Sequence, residues 1–311
     1  MKSKKMIGRT AGAVAAAVAL VLSLAACGSD SDDSGGGSKP KVIMGTKDFS
    51  EQFLLGELYA QALNNAGFNI ELKKNIGSSE IIDKALTTKK IDMYPEYTGV
   101  IYSNKDLADL GDHPESKEVT YAGAKKWEAS RGYTMLKPTP FQDADGFAVT
   151  KAYQKKYNLK TIDDMKSVKS FTYAGPPENG TRYQGVVGLK KAYGLNQIQF
   201  KPLGTGAQYA ALDNGSVDTI AVFTTDGQLA SGKYVVLPDT KGIFGFQQVA
   251  PVIRNSVIKQ QGAEFSEVLN KVSALLTTKA IIAMNSAVQI DKKDPGAVAK
   301  SFLDANGLGK K

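Results

Sequence analysis

Few side chains in this 311-residue chain could do covalent chemistry. One cysteine, Cys27, and one histidine, His113, exclude an intramolecular disulfide, an all-cysteine metal site and a centre built on two or three histidines. Most hydrolytic metal and triad chemistry goes with them. Ser38-x-x-Lys41 and Ser256-x-x-Lys259 have the spacing of a Ser/Lys hydrolase pair, but neither is accompanied by a K-T-G element. There is no G-x-S-x-G elbow, P-loop or dinucleotide fingerprint, which leaves a surface hydrolase as the lesser alternative. The residues that remain are suited to binding: the cations Lys47 and Arg182, the Ser79 hydroxyl, the rings of Tyr97 and Phe223, and Asp145, which also fits a turn because Gly146 follows it. No catalytic residue, metal or cofactor is expected. His113, beside Pro114, is given no role, and Trp127 reads as packing on an amphipathic helix over 116–131.

The elements that position these residues come in two similar runs. From Pro40 the pattern predicts a strand at 42–44, a helix capped by Ser50 and running to about residue 66, a strand at 68–72, a helix at 79–88 and a strand at 91–94. A second run predicts a strand at 171–173, a helix at 181–193, a strand at 198–202, a helix at 207–214 and a strand at 217–223. This βαβαβ order argues for α/β lobes with largely parallel sheets. An ungapped offset of 126 residues brings Ser79 onto Thr205, Asp92 onto Asp218, Tyr97 onto Phe223 and Thr98 onto Thr224. Two related lobes of this kind bind ligands in the crevice beyond the carboxyl ends of their strands. Tyr97-Thr98 and Phe223-Thr224 are the residues expected to meet across it, and Arg182 is placed at a helix start, where an anion is favoured.

The first 26 residues stand apart from this pattern. Lys2, Lys4, Lys5 and Arg9 precede an uncharged run at 11–24, as in an export signal, and Leu24-Ala25-Ala26-Cys27 resembles the bacterial lipobox. This predicts a signal at 1–26, lipid on Cys27 and a flexible tether through 27–39, whose Gly/Ser/Asp composition cannot bury a core. Half of the formal +8 charge therefore belongs to the signal. The remaining Lys-Lys pairs are scattered, with no aromatics interleaved, and argue against nucleic acid as a partner. With no further run of 18 apolar residues, the expectation is a protein held to the cell membrane by its lipid, on the extracellular or periplasmic side.

Four segments carry a family resemblance. Gly45-Thr46-Lys47-Asp48-Phe49-Ser50-Glu51-Gln52 resembles the G-S/T-K-x-F-T/S-E-Q opening of the substrate-binding proteins of osmoprotectant ABC importers. Asp92-Met93-Tyr94-Pro95-Glu96-Tyr97-Thr98-Gly99 is similar to their D-x-Y-P-E-Y-T-G signature, Thr224-Thr225-Asp226-Gly227 to their S/T-T-D-G element, and Val249 to Arg254 to their return strand. The similarity runs over nearly all of 41–308.

That resemblance implies a type II periplasmic-binding-protein fold, with lobe 1 from 40–142 plus 250–311 and lobe 2 from 143–249, joined by a hinge over an interlobe cleft. It also implies a non-enzymatic, monomeric receptor that captures a quaternary ammonium osmolyte (glycine betaine, choline, carnitine or similar) and delivers it to an ABC permease and its ATPase subunits. In such proteins aromatic rings hold the ammonium, because a methylated nitrogen has no N–H to donate, and cationic side chains hold the carboxylate. Carried over, Tyr97 matches a cage ring, and Lys47 and Arg182 match carboxylate positions. Three places depart from the better-known members: Gln142-Asp143-Ala144-Asp145 replaces an N-N-T-Y segment, Phe223 replaces a cage Tyr, and Gln247 stands near where another Tyr is expected. These departures leave open a different small zwitterion, such as an amino-acid derivative with N–H donors.

Overall fold

The computed structural model describes residues 39–112 and 114–310; Cys27 with its signal and tether, and His113, lie outside the described residues. The chain begins with β1 (Lys41–Gly45), α1 (Ser50–Asn65), β2 (Asn69–Lys73), α2 (Ser79–Thr87), β3 (Met93–Tyr97), α3 (Thr98–Ser103), α4 (Lys117–Ser130) and β4 (Tyr133–Met135). It continues through β5 (Asp145–Thr150), α5 (Lys151–Tyr157), β6 (Phe171–Gly175), α6 (Gly188–Lys191), β7 (Ile198–Pro202), α7 (Ala207–Asp213), β8 (Thr219–Phe223) and β9 (Tyr234–Leu237). It ends with β10 (Val249–Arg254), α8 (Asn255–Gln261), α9 (Ala263–Leu275), α10 (Thr278–Gln289) and α11 (Pro295–Ala305).

Two five-stranded sheets result, in the orders β2-β1-β3-β10-β4 and β7-β6-β8-β5-β9. In each, the three strands of a βαβαβ run are parallel. The other two strands join antiparallel, so the sheets are mixed rather than largely parallel. The reason is topological: β10 returns from the second sheet, and β5 precedes its own βαβαβ run, so neither arrives through a crossover helix. The chain passes between the sheets after Met135 and comes back after Leu237.

Each sheet is covered on both faces. Leu54, Leu58, Tyr59 and Leu63 of α1 are fully buried and pack with Phe265, Leu269 and Leu303 on one face of the first sheet; Ile82, Tyr94, Ile101 and Ala124 fill the other. Phe147, Phe171 and Tyr173 make the core on one face of the second sheet, and Tyr209, Leu212 and Ile220 that on the other. Burying apolar side chains on both faces is what allows the central strands to read as near-continuous hydrophobic runs.

The internal repeat reaches single hydrogen bonds. Asp92 Oδ2 accepts the Ile43 N–H at 2.7 Å, and 126 residues later Asp218 Oδ2 accepts the Thr172 N–H at 2.8 Å. Each carboxylate thus ties the approach to the third strand of its run to the first.

Two local expectations are corrected. Ser50 is the first helical residue, not the cap; Phe49 holds the extended cap position, and Ser50 Oγ accepts a bond from Gln289 Nε2. The helix expected over 181–193 is broken into a π turn at Tyr183–Val187 and the short α6. Gly185 has non-helical angles there because its Cα lies against Asn179, where a Cβ would sit 2.1 Å from the carbonyl oxygen. Arg182 consequently precedes an irregular turn in place of opening a regular helix.

Candidate functional site

The carboxyl ends of β1, β3 and β8 open onto one cleft, which holds about 500 Å³ of space counted out to its mouth. All six residues expected to bind ligand, Lys47, Ser79, Tyr97, Asp145, Arg182 and Phe223, line it. Both Ser79 with Thr205 and Tyr97 with Phe223, pairs related by the 126-residue offset, face the same space. Thr98 and Thr224 do not; their N–H groups bond Gln248 O and Ala144 O, fastening the two interlobe crossings.

Three rings form a ladder along one wall. Phe49, in the loop between β1 and α1, stacks on Tyr97 with centroids 6.1 Å apart and on Phe223 with centroids 5.7 Å apart. Phe49 is the residue that sequence reasoning missed; its only signal was its place in the opening motif, between Lys47 and the start of α1. The rings lie nearly parallel, at 26° and 13°, so they make a wall rather than a box.

Lys47 is buried beside this wall, its ammonium 4.2 Å from the Tyr97 ring centroid. It donates to Glu96 Oε1 at 2.5 Å and to Ser79 Oγ at 3.1 Å. Lys47 and Ser79 thus adjoin like a nucleophile and its base, but an ammonium held by a carboxylate and a ring face is a donor and cannot take the hydroxyl proton. The Glu96 pair also means that a ligand carboxylate must share Lys47 with a protein carboxylate.

Arg182 reaches across from the second lobe to Glu80 on α2, with Nη2 2.9 and 3.0 Å from the two carboxylate oxygens and Nε 3.3 Å from Oε1. This leaves the Nη1 edge of its fork for a ligand. Burial pushes the Glu80 carboxyl up, but the Arg182 charge and bonds from Ser78 and Asn104 outweigh it and hold the group at about 2.

Asp145 opens β5 directly opposite Phe223 on β8, so their side chains fall on one face. Burial pushes its carboxyl up to about 6 against the pull of Arg182, Asn179 and Lys47, with Glu178 adding to the rise. Gln247, in the returning crossing, also lines the cleft and is 1% exposed.

Behind the rings lies a cluster that no sequence pattern assembles. The Tyr97 hydroxyl donates to Glu51 Oε1 at 2.8 Å, and Asn285 Nδ2 donates to Glu51 Oε2 at 2.6 Å. Asp143 Oδ1 accepts from the Thr225 N–H at 3.1 Å, and Asp226 Oδ2 accepts from Tyr209 at 2.7 Å and from the Phe223 N–H at 3.0 Å. These bonds fix the Tyr97 and Phe223 ends of the ladder. The whole arrangement is rigid, charged and aromatic, and suited to holding a small cation or zwitterion.

Comparison with known proteins gives this geometry a context. A family model described as the substrate binding domain of ABC-type glycine betaine transport system matches residues 40–305. The chain is 28% identical over 280 residues to the glycine-betaine-binding protein of Pseudomonas aeruginosa, covering 85% of this chain and 88% of the relative. It is 29% identical over 273 residues to the ergothioneine transport permease/ergothioneine binding protein EgtU of Helicobacter pylori; that match covers 87% of this chain but only 48% of the longer relative. Among solved structures, one described as a glycine betaine/carnitine/choline ABC transporter superposes with a TM-score of 0.69 at 24% identity, covering 86% of this chain and 99% of that one.

Proposed function

The chain belongs to the family of substrate-binding domains of ABC-type glycine betaine transport systems, and from that premise we propose that it captures a quaternary ammonium osmolyte in the interlobe cleft. It is a binding protein and not an enzyme. The observation that carries the ligand class is the ladder of Tyr97, Phe49 and Phe223, three aromatic side chains that line a cleft shared by both lobes. A ring face is worth about 0.5–2 kcal/mol to a desolvated cation, and it suits a trimethylammonium group that no hydrogen bond can hold. The ligand's carboxylate, where it has one, meets Arg182 Nη1, with Lys47 and Ser79 close by.

The segments on either side of the second sheet, 136–144 and 238–248, serve as the hinge between lobe 1 and lobe 2. Ligand draws the lobes together, Arg182 meets Glu80 across the gap, and the closed form is presented to a permease and its ATPase subunits. Glycine betaine, choline, carnitine and ergothioneine are the compounds to offer first, since the relatives' names include them. The reading is tested by thermal shift with this panel. A rise in melting temperature with at least one quaternary amine and none with unmethylated glycine is expected; the reverse order would favour an amino-acid receptor.

We propose further that Cys27 carries the lipid that keeps the protein at the outer face of the membrane. Cys27→Ala should move it from the membrane fraction to the soluble fraction, and unchanged membrane retention would defeat the assignment.

A further inference from the structure

Gln247 has one half of its amide committed and the other idle. Its Oε1 accepts the Val100 N–H at 3.1 Å, which fixes the side chain's orientation, and its backbone carbonyl accepts the Asp143 N–H at 3.0 Å. Among the described residues Nε2, buried in a side chain that lines the cleft, has no hydrogen-bond partner. It is also hemmed in by Gly99, where a Cβ would come within 2.8 Å of it. A buried donor is normally satisfied, so an idle one in a cleft wall marks where a ligand acceptor belongs.

Asp145 poses the opposite requirement. Its carboxylate has only acceptors, it faces the same cleft, and its cross-strand neighbour Phe223 offers an apolar ring. A trimethylammonium group offers Gln247 no acceptor and Asp145 no hydrogen-bond donor. Asp145 stands where, and Gln247 near where, the family resemblance leads one to expect tyrosine.

Building on the quaternary ammonium reading of the cleft, we propose that Gln247 and Asp145 are its specificity-determining residues. Gln247 Nε2 donates to an acceptor on the ligand, and Asp145 accepts from an O–H or N–H of the ligand. The site then selects quaternary ammonium compounds that bring a hydroxyl or ring N–H over betaines that have no donor. A donorless ligand leaves the Asp145 carboxylate only its protein partners, Asn179 and the Arg182 and Lys47 charges, and sites built to bond a polar group discriminate strongly against analogues that lack it.

Two matched pairs test this by calorimetric titration of the intact protein: carnitine against γ-butyrobetaine, and choline against propyltrimethylammonium. The members of each pair differ at the hydroxyl. The donor-bearing member is expected to bind at least tenfold tighter in at least one pair, and Asp145→Ala, with Asp145→Leu as a second variant, should reduce that gap below threefold. Gln247→Glu keeps an acceptor for the Val100 N–H but removes the donor, and should weaken carnitine at least tenfold without weakening choline. The proposal is overturned if both members of each pair bind alike, or if the Asp145 variants weaken both members equally, since Asp145 would then be a simple countercharge. If no quaternary compound binds, including glycine betaine and ergothioneine, the reading of the cleft itself fails and this inference with it.

Discussion

The Thr225 hydroxyl lies 2.5 Å from Glu51 Oε2 and 2.6 Å from Asp143 Oδ1. A hydroxyl has one proton, so it cannot donate to both oxygens, and one of the two acids must itself be protonated and donate in return. Burial raises both carboxyls; the Glu51 charge raises Asp143 further, whereas hydrogen bonds, one of them from Asp143, offset part of the rise at Glu51. Glu51 belongs to the first lobe, Thr225 follows β8 of the second, and Asp143 lies in the crossing between them. The back of the ring ladder and the junction of the lobes therefore share one proton.

The sign of the pH effect follows. A carboxyl that binds its proton more tightly in the folded state gives full stability below its ordinary value, here 3.8 for Asp143 and 4.5 for Glu51, and loses it as pH rises through the raised one. Asp143→Asn cannot ionise but keeps an oxygen for Thr225. Melting temperature followed from pH 5 to 8 should fall more steeply for the wild-type protein than for this variant; equal slopes would show that the site holds no extra proton.

The Arg182–Glu80 bridge should behave differently. Glu80 is held at about 2, below its ordinary 4.5, so its contribution is present above the ordinary value and is lost only as pH falls toward 2. Between pH 5 and 8 the bridge is insensitive to pH. Because it joins α2 to the turn after residue 181, Glu80→Gln should speed ligand release several-fold in stopped-flow measurements while shifting the melting temperature little. A release rate identical to that of the wild type would remove the bridge from the closing mechanism.

Phe49 joins the rings of the two lobes. Phe49→Ala should weaken binding of a quaternary amine at least tenfold, about 1.4 kcal/mol, and Tyr97→Ala should do the same. Phe49→Tyr retains the ring and should stay within about threefold of the wild type. Affinities by equilibrium titration decide this, with circular dichroism to confirm folding; undiminished affinity in a folded Phe49→Ala protein would take the ladder out of the site.

Much of this architecture was legible because it repeats. The offset of 126 residues lays Met93 to Tyr97 on Thr219 to Phe223, which are β3 and β8 residue for residue. Local pattern located both strands, since a strand, its preceding helix and an Asp at the same place recur together, although the strand expected at 91–94 runs from Met93 to Tyr97. The antiparallel strands were harder to place. β10 contains Pro251, which opposes Pro95 across the β3 ladder, and nothing local says that a Pro-bearing segment 156 residues away in sequence is a central strand. The six expected site residues did converge on the cleft, but their partners are set by tertiary structure alone. Lys47 is engaged by Glu96, Arg182 by Glu80, and Glu51, Asp143 and Thr225 meet only because two interlobe crossings and α10 come together. Phe49 carried no periodic signal, being a single aromatic in a short loop.

The central claim is that the cleft binds a quaternary ammonium compound on the Tyr97–Phe49–Phe223 wall. It is tested most directly by calorimetric titration of the purified protein with glycine betaine, choline, carnitine, proline betaine and ergothioneine. Saturable one-site heat is predicted with at least one of them, with an affinity at least tenfold weaker in Phe49→Ala. No heat with any of the five in a folded protein would contradict the assignment.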